Sequence, residues 1–527
     1  MSKLLSILGL KSVGAPVKSG NKTLMQTLPE HQIMHMNDVS TVDPQVICQS
    51  VPSNLFTNQG ARYQATIQRG VVSRIKHLVI KIDITVTGAA CVLAPVTHWF
   101  KQIELKPNGG GVIKTWYNDM FMLNAVASKD TGMFPCLMEG LNLDSDQRTL
   151  LGQTNTIPAN TRKSFFLCLE SGIWEHMKTL WSDSRSDLTL DFLPDESGIV
   201  ISGGGSIVCN GMTMILEGED TSDHMEAAFK EAHRDLSQSV ALIDPNIIFE
   251  NSHSLNVGQN LIDLNNPRGK ISGFYVLIRP SGTGARNPNN GWYQCLNIGD
   301  ESGAVLDILD ASNKSILGGS GVPSKHIRHE KWIHNFNNSI AHIKPFYLIS
   351  HGQKLKDAFG SGQMKGARTY DGSQCFLQIT ATAAVNEVQT ITCLNVDNVQ
   401  GSYRFLFRGE LSTPLAFNAT TAQMAATVAA MKVMKRNNVT VVFSGLMEGT
   451  ITATFTTPET NGLGGDLLYV MTDSLLNGAG AADLPVTSLT VPGKDGIVPG
   501  TQYDIRIYSL TWKLANWTHG VLSSQLL

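Results

Sequence analysis

The stretch Trp99 to Met120, WFKQIELKPNGGGVIKTWYNDM, decides what kind of molecule this is. Its middle, Gly109 to Thr115, has the outline of a phosphate-binding loop. Such a loop needs G-x-x-x-x-G-K-[ST], so that backbone amides curl around the phosphates. Here Ile113 stands where the second glycine must be, and Trp116 and Tyr117 occupy the place of a compact helix start. The flanks point elsewhere. Phe100, Ile103 and Leu105 alternate with Lys101, Glu104 and Lys106; PNGGG then turns and VIKTWY pairs back. That is a β-hairpin.

The same texture extends in both directions. Strand-like runs separated by Gly, Pro and Asn turns include ARYQATIQRG, RIKHLVIKIDITV, KSFFLCLE, LTLDFL and SIVCNGMTMILEG, within residues 46 to 218. A second series holds KISGFYVLIRPSG, GWYQCLNIGD, AVLDILDASNKSIL, IAHIKPFYLIS and GSQCFLQITATAAV. Spacing of this kind belongs to sandwiches and barrels. Both series open with Arg and Gly before a Lys-containing edge and a long apolar run, as two copies of one architecture would. Between them, Met225, Phe229, Ala232 and Leu236 fall at helical spacing behind an Asp223/Glu226 capping box, predicting a connecting helix over 221–240. From 388 to 494 the pattern becomes strand, turn, strand, helix, strand, with Thr420 and Gln423 placed to cap the helix and Met424, Val428, Met431 and Lys435 along one side. This predicts a small α+β domain inserted in a loop of the second β unit.

At 527 residues the chain exceeds one ordinary core. Charged residues make up 16% of it, against a usual share near ~25%. A neutral polar surface of that kind suits burial against neighbouring copies. The net charge of −3 and the absence of a long basic tract give no nucleic-acid footprint. The eight cysteines are scattered without C-x-x-C and read as small buried hydrophobes in a reducing compartment. No apolar run reaches the length of a membrane span, and Lys11 interrupts the short apolar start, so retention in the cytoplasm is expected.

Candidate chemistry is sparse. His31 and His35 lack the Glu of a zinc-protease helix; His326, His329, His334 and His342 have metal-like spacing but only Glu330 as a nearby carboxylate. Asp183, Asp187 and Asp191 are evenly strewn, leaving calcium at a loop rim as an open option. No Gly-x-Ser-x-Gly elbow occurs. No catalytic residue, cofactor or metal is expected. The first 29 residues carry Lys3, Lys11, Lys18 and Lys22 and no acid, with Leu4, Leu5, Ile7, Leu8 and Leu10 forming one or two apolar turns. Such a segment either lies on an anionic membrane face or is an arm tied to neighbouring subunits.

The chain resembles the double jelly-roll major capsid proteins of tailless icosahedral viruses, the lineage of adenovirus hexon, and within it those of bacteriophages with an internal membrane. GVVSRIKHLVIKIDITV followed by HWFKQIELKPNGGGVIKTWYNDMF is similar to the early strands of the first barrel, with DMFMLNAVA as a short helix. NPRGKISGFYVLIRP resembles the entry to the second, FYLISHGQKLKDAFGSGQMKGARTYDGSQCFLQI a late loop and strand, and YDIRIYSLTWKLANWTHGVLS the closing strand. The insert is similar to small repeat domains of phage virion and tail-fibre proteins, through FNAT, a helix and NNVTV.

The resemblance implies an all-β protein of two tandem jelly rolls. Its parts would be an inward-facing arm (1–44), a first barrel (45–220), a second barrel (241–387 and 495–527) and an outward-facing insert (388–494). It implies homotrimers in pseudo-hexagonal capsomers tiling an icosahedral virion over an internal membrane. Neighbouring capsomers, penton and minor capsid proteins and membrane lipid would be partners, and no specific nucleic-acid sequence. Lys3, Leu4, Leu5, Ile7, Leu8, Lys11, Lys18 and Lys22 would meet membrane or capsomer. Rival readings are a tail-fibre or receptor-binding protein and a β-sandwich carbohydrate enzyme with two facing carboxylates.

Overall fold

In the computed structural model the hairpin closes as its alternation requires. Strand β5 (Phe100–Pro107) pairs antiparallel with β6 (Lys114–Tyr117), Ile103 opposite Trp116 and Leu105 opposite Lys114. The Gly110 amide donates to the Pro107 carbonyl at 2.9 Å, and Gly109 takes φ +77°, a conformation that disfavours any side chain. The structure describes residues 42–51, 62–93, 96, 99–120, 155–169, 173–174, 184–195, 200–221, 237–281, 298–299, 303–317, 319, 321–324, 347–351, 367–392, 401–432, 434, 439–445, 450–456, 466–472, 476–477, 480–481, 486–494, 496–518 and 521–527.

The first barrel is built from β1 (Val42–Val51), β2 (Tyr63–Ile67), β3 (Arg74–Thr87), β4 (Cys91–Leu93), β5, β6, β7 (Asn155–Ile157), β8 (Arg162–Cys168), β9 (Leu188–Pro194), β10 (Val200–Gly203) and β11 (Ser206–Thr221). Its two four-stranded sheets have the orders β1-β11-β3-β8 and β2-β9-β5-β6, with β10-β4-β7 as a small third sheet. The second barrel uses β12 (Ser237–Ser254), β13 (Gly258–Leu264), β14 (Arg268–Pro280), β15 (Val305–Asp310), β16 (Val322–Pro323), β17 (Tyr347–Ser350), β18 (Arg368–Asp371) and β19 (Cys375–Ala381). Two late strands complete it, Gln502–Thr518 and Val521–Leu526, numbered β30 and β31 after the insert. Its sheets run β12-β30-β14-β17 and β13-β19-β15-β16. Replacing each strand of the first barrel by its counterpart in the second reproduces both orders. These are two eight-stranded jelly rolls of one design, all antiparallel.

The insert sits between β19 and β30. It contains β20 (Glu387–Thr392), β21 (Ser402–Phe407), β22 (Glu410–Leu411), β23 (Leu415–Ala416), helix α1 (Thr421–Ala430), β24 (Thr440–Ser444), β25 (Thr450–Thr456), β26 (Tyr469–Thr472), β27 (Leu476–Asn477), β28 (Gly480–Ala481) and β29 (Val486–Val491). Thr420 and Gln423 form the capping box, and Met424, Val428 and Met431 bury one face of α1. Lys435 of that expected face lies outside the described residues. The insert has a core of its own, with Phe405, Phe443 and Phe455 at its centre. It is joined to the barrel by a two-stranded neck in which Val385 and Lys494 exchange backbone hydrogen bonds of 2.9 and 2.8 Å. A Cβ on Gly496 would meet the Thr382 carbonyl oxygen at 2.3 Å, so the neck has no room for a larger residue.

β11 continues through Thr221 and β12 begins at Ser237, so both ends of the expected connecting helix are strand; 222–236 lie outside the described residues. No helix among the described residues is long and apolar enough to cross a membrane.

Candidate functional site: the seam between the barrels

The two jelly rolls share more than a linker. Along β14 the side chains alternate between two interiors. Phe274, Val276 and Ile278 enter the second barrel's core, while Tyr275 and Leu277 join the core cluster of the first. β30 divides likewise: Ile505 and Ile507 point inward, and Tyr508, Leu510 and Trp512 complete the first cluster. A strand buried on both faces reads as an unbroken apolar run, which is why FYVLI lacks polar alternation. The Trp512 indole N–H finds the Ser272 hydroxyl at 2.6 Å.

Charge is buried along the same seam, and the hairpin carries it across. Lys114 extends from β6 into the second barrel. Its ammonium donates to the Ile243 carbonyl at 2.8 Å and lies 3.6 Å from Asp244, whose side chain is fully buried. Asp244 also accepts from the Thr115 backbone N–H at 3.2 Å and pairs with Lys513 at 2.5 Å. Burial pulls the Lys114 pKa down, Asp244 opposes that, and Lys513 adds to it. The residue that made the stretch resemble a phosphate loop is therefore an inter-barrel pin.

A second cluster lies where the hairpin ends. Asn118 to Met120 begin a helical turn. Asp119 accepts from Arg279 at 2.5 Å, Arg506 at 2.6 Å and the Tyr508 hydroxyl at 3.0 Å. Arg506 also reaches Asn118 and Glu250, and Glu250 lies 3.6 Å from Lys101. Burial works against the Arg506 charge, but Asp119, Tyr508 and Glu250 outweigh it and hold its pKa above normal. Burial, then the Asp119 charge, pushes the Tyr508 phenol well up, keeping it a donor. Burial and Asp244 push Tyr117, which packs on Tyr508, up to about 12.

This arrangement positions; it offers no reacting pair. Sequence reasoning missed Lys114, Asp119, Asp244, Arg279 and Arg506 because their partners are over a hundred residues away. A lysine between Val112-Ile113 and Trp116-Tyr117 was the one available signal. The aspartates considered for calcium are otherwise engaged: Asp191 pairs with Lys106 across strands and Asp187 accepts from the Arg69 backbone. On β9, Leu188, Leu190 and Phe192 face the core, as a barrel strand requires. Among the described residues no His, Cys, Asp and Glu group could hold a metal. Of the described cysteines, Cys91, Cys168 and Cys375 are buried and Cys48 is exposed. Lys3, Leu4, Leu5, Ile7, Leu8, Lys11, Lys18, Lys22, His31, His35, the 326–342 histidines and Asp183 lie outside the described residues.

No protein-family model matches the sequence, and no curated protein does. Solved structures do. The crystal structure of VP54 of PBCV-1, fitted into a reconstruction of the virophage Sputnik, aligns over 93% of this chain and 97% of its own, with a TM-score of 0.51 at 12% identity. A quasi-atomic model of the PBCV-1 capsid aligns over 84% and 97%, with a TM-score of 0.46 at 12% identity. The Faustovirus major capsid protein aligns over 98% and 96%, with a TM-score of 0.39 at 7% identity. With the matching strand orders of both barrels, the VP54 alignment gives the chain its fold: the double jelly roll of major capsid proteins, with a domain inserted in the second barrel.

Proposed function

We propose that the protein is a major capsid protein whose three copies form a pseudo-hexagonal capsomer. One observation carries this reading: two like jelly rolls are locked side by side by a buried seam. In that seam the outer face of the second barrel's β12-β30-β14-β17 sheet is covered by the first barrel. Among the described residues, the equivalent outer face of the first barrel has no such cover. Val46 on β1 is 65% exposed and Val208 on β11 48%, on the same face as Val79 and Ile215. Equivalent contacts between copies would cover it, and a closed ring of three two-barrel chains repeats one contact six times. The low charge of the chain fits surfaces buried between subunits.

Sedimentation of the purified chain should give trimers with a six-lobed outline in negative-stain images. Val46→Asp with Val208→Asp should leave folded monomers. A trimer unaffected by that pair would reject the contact, and an elongated or strictly monomeric wild type would reject the capsomer.

The N-terminal arm, with Lys3, Leu4, Leu5, Ile7, Leu8, Lys11, Lys18 and Lys22, is proposed to bind inner membrane lipid or adjoining capsomers. Deleting residues 2–22 should preserve trimers and prevent assembly around lipid. Membrane-filled particles formed by the deletion would refute that role.

A further inference from the structure

The insert's first sheet, β24-β25-β20-β29, has an outer face unlike the rest of the chain. On β25, Thr450, Thr452 and Thr454 alternate with the buried Ile451, Ala453 and Phe455. The register sets Thr390 beside Thr452, Thr392 beside Thr450 and Val388 beside Thr454. Ser444 and Val442 flank Thr452 and Thr454 on one side; Ser488 and Val486 flank Thr390 and Thr392 on the other. Among the described residues this four-stranded face carries no ionisable side chain, in a chain with 41 Lys and Arg and 44 Asp and Glu. Its hydroxyls are partly ordered by one another: Thr390 and Thr490 share a hydrogen bond of 2.5 Å, and the Ser488 hydroxyl donates to the Thr390 carbonyl at 3.3 Å. Strand spacing of ~4.8 Å and a same-face repeat of ~6.8 Å lay these groups out as a regular two-dimensional array.

We propose that this face binds an uncharged, repeating polysaccharide. The argument is one of complementary chemistry. An anionic or cationic polymer finds no counter-charge here. A peptide strand adds to a sheet edge, whereas the backbone groups behind this face are already used in the ladder. Alternating methyl and hydroxyl groups match the C–H and O–H groups of neutral sugars, and a regular array suits a polymer whose units repeat, since weak single contacts multiply along the chain. The insert's separate core and narrow neck leave this face free of any duty in the barrels' packing. Binding does not require that the barrels form a shell, so its failure and the failure of the capsid reading are separable.

The test is retention of the full-length protein on immobilised dextran, laminarin and galactan, with alginate and heparin as charged probes. Wild type should be held by at least one neutral polymer, insensitively to salt. Thr390→Lys with Thr452→Lys should weaken that retention by about tenfold or more while the melting transition stays put. Thr390→Ser with Thr452→Ser should retain it, as should Leu411→Lys on the insert's other sheet. The proposal is overturned if no neutral polymer retains the protein, if only alginate or heparin does, or if Leu411→Lys abolishes retention while the lysine pair does not.

Discussion

Strands β3 and β14 hold the same place in their two barrels, and their outer faces differ. Inward, both are apolar: Leu78, Ile80, Ile82 and Ile84 in β3, Phe274, Val276 and Ile278 in β14. Outward, β3 presents Val79, Lys81, Asp83 and Thr85, while β14 presents Tyr275, Leu277 and Arg279, the ion-pair partner of the buried Asp119. One design of sheet thus serves as a barrel wall with a polar outside in the first copy and as an internal partition in the second. The jelly roll fixes which residues face inward. Which residues face outward depends on what stands next door.

That contrast can be broken most severely at the partition. Trp512→Ala removes a fully buried indole shared by both barrels and orphans the Ser272 hydroxyl; a loss of about 3–5 kcal/mol is expected, read from the urea midpoint. Asp119→Ala leaves Arg279 and Arg506 facing each other in the seam and should cost about 3 kcal/mol by the same measurement. Lys114→Met sharpens the comparison, because it replaces a buried ammonium by an apolar chain of similar length while Lys513 still neutralises Asp244. It should change stability by no more than about 1 kcal/mol, and could raise it. Raising the pH towards the ordinary lysine value of 10.5 should stabilise wild type relative to this variant. With a lowered folded pKa, the charged Lys114 penalises the folded state until the proton leaves. A loss of several kcal/mol in Lys114→Met would show that the pin holds the barrels by its charge.

The sequence disclosed much of this, unevenly. The hairpin, β3, β8, β11, β15 and the capped α1 follow from alternation or caps that depend only on neighbouring residues. β12 was hidden. Pro245 and a bulge at Ile247/Phe249 interrupt its pattern, and Ile243, Asp244 and Pro245 are buried in succession because both sides are covered. β13 was obscured by Leu261, an outward leucine 51% exposed where alternation calls for a polar residue. The seam was illegible for a different reason. Its ion pairs join positions whose proximity is a property of two barrels docked together, and no local pattern encodes docking.

The smallest expected effects lie on the polar side of the comparison. Lys81→Ala on the outer face of β3 should change stability by less than about 0.5 kcal/mol, since its ion pair with Asp83 is largely solvent-screened. Asp83 itself should contribute at neutral pH and cease to matter in acid. A hydrogen bond from the Ser164 hydroxyl, with help from Lys81 and Arg162, holds its carboxyl below the ordinary 3.8 despite some desolvation. A lowered folded pKa means the unfolded chain takes up its proton first. The contribution is therefore complete above the ordinary value and is lost as the pH falls through the folded one. Asp83→Asn should accordingly lower stability modestly at neutral pH and flatten the decline below about pH 4, so that variant and wild type converge in acid. A neutral-pH loss as large as that of Asp119→Ala would mean that this outer face is supported by charge as the partition is, and the distinction between the two barrels' outer surfaces would narrow to their apolar residues alone.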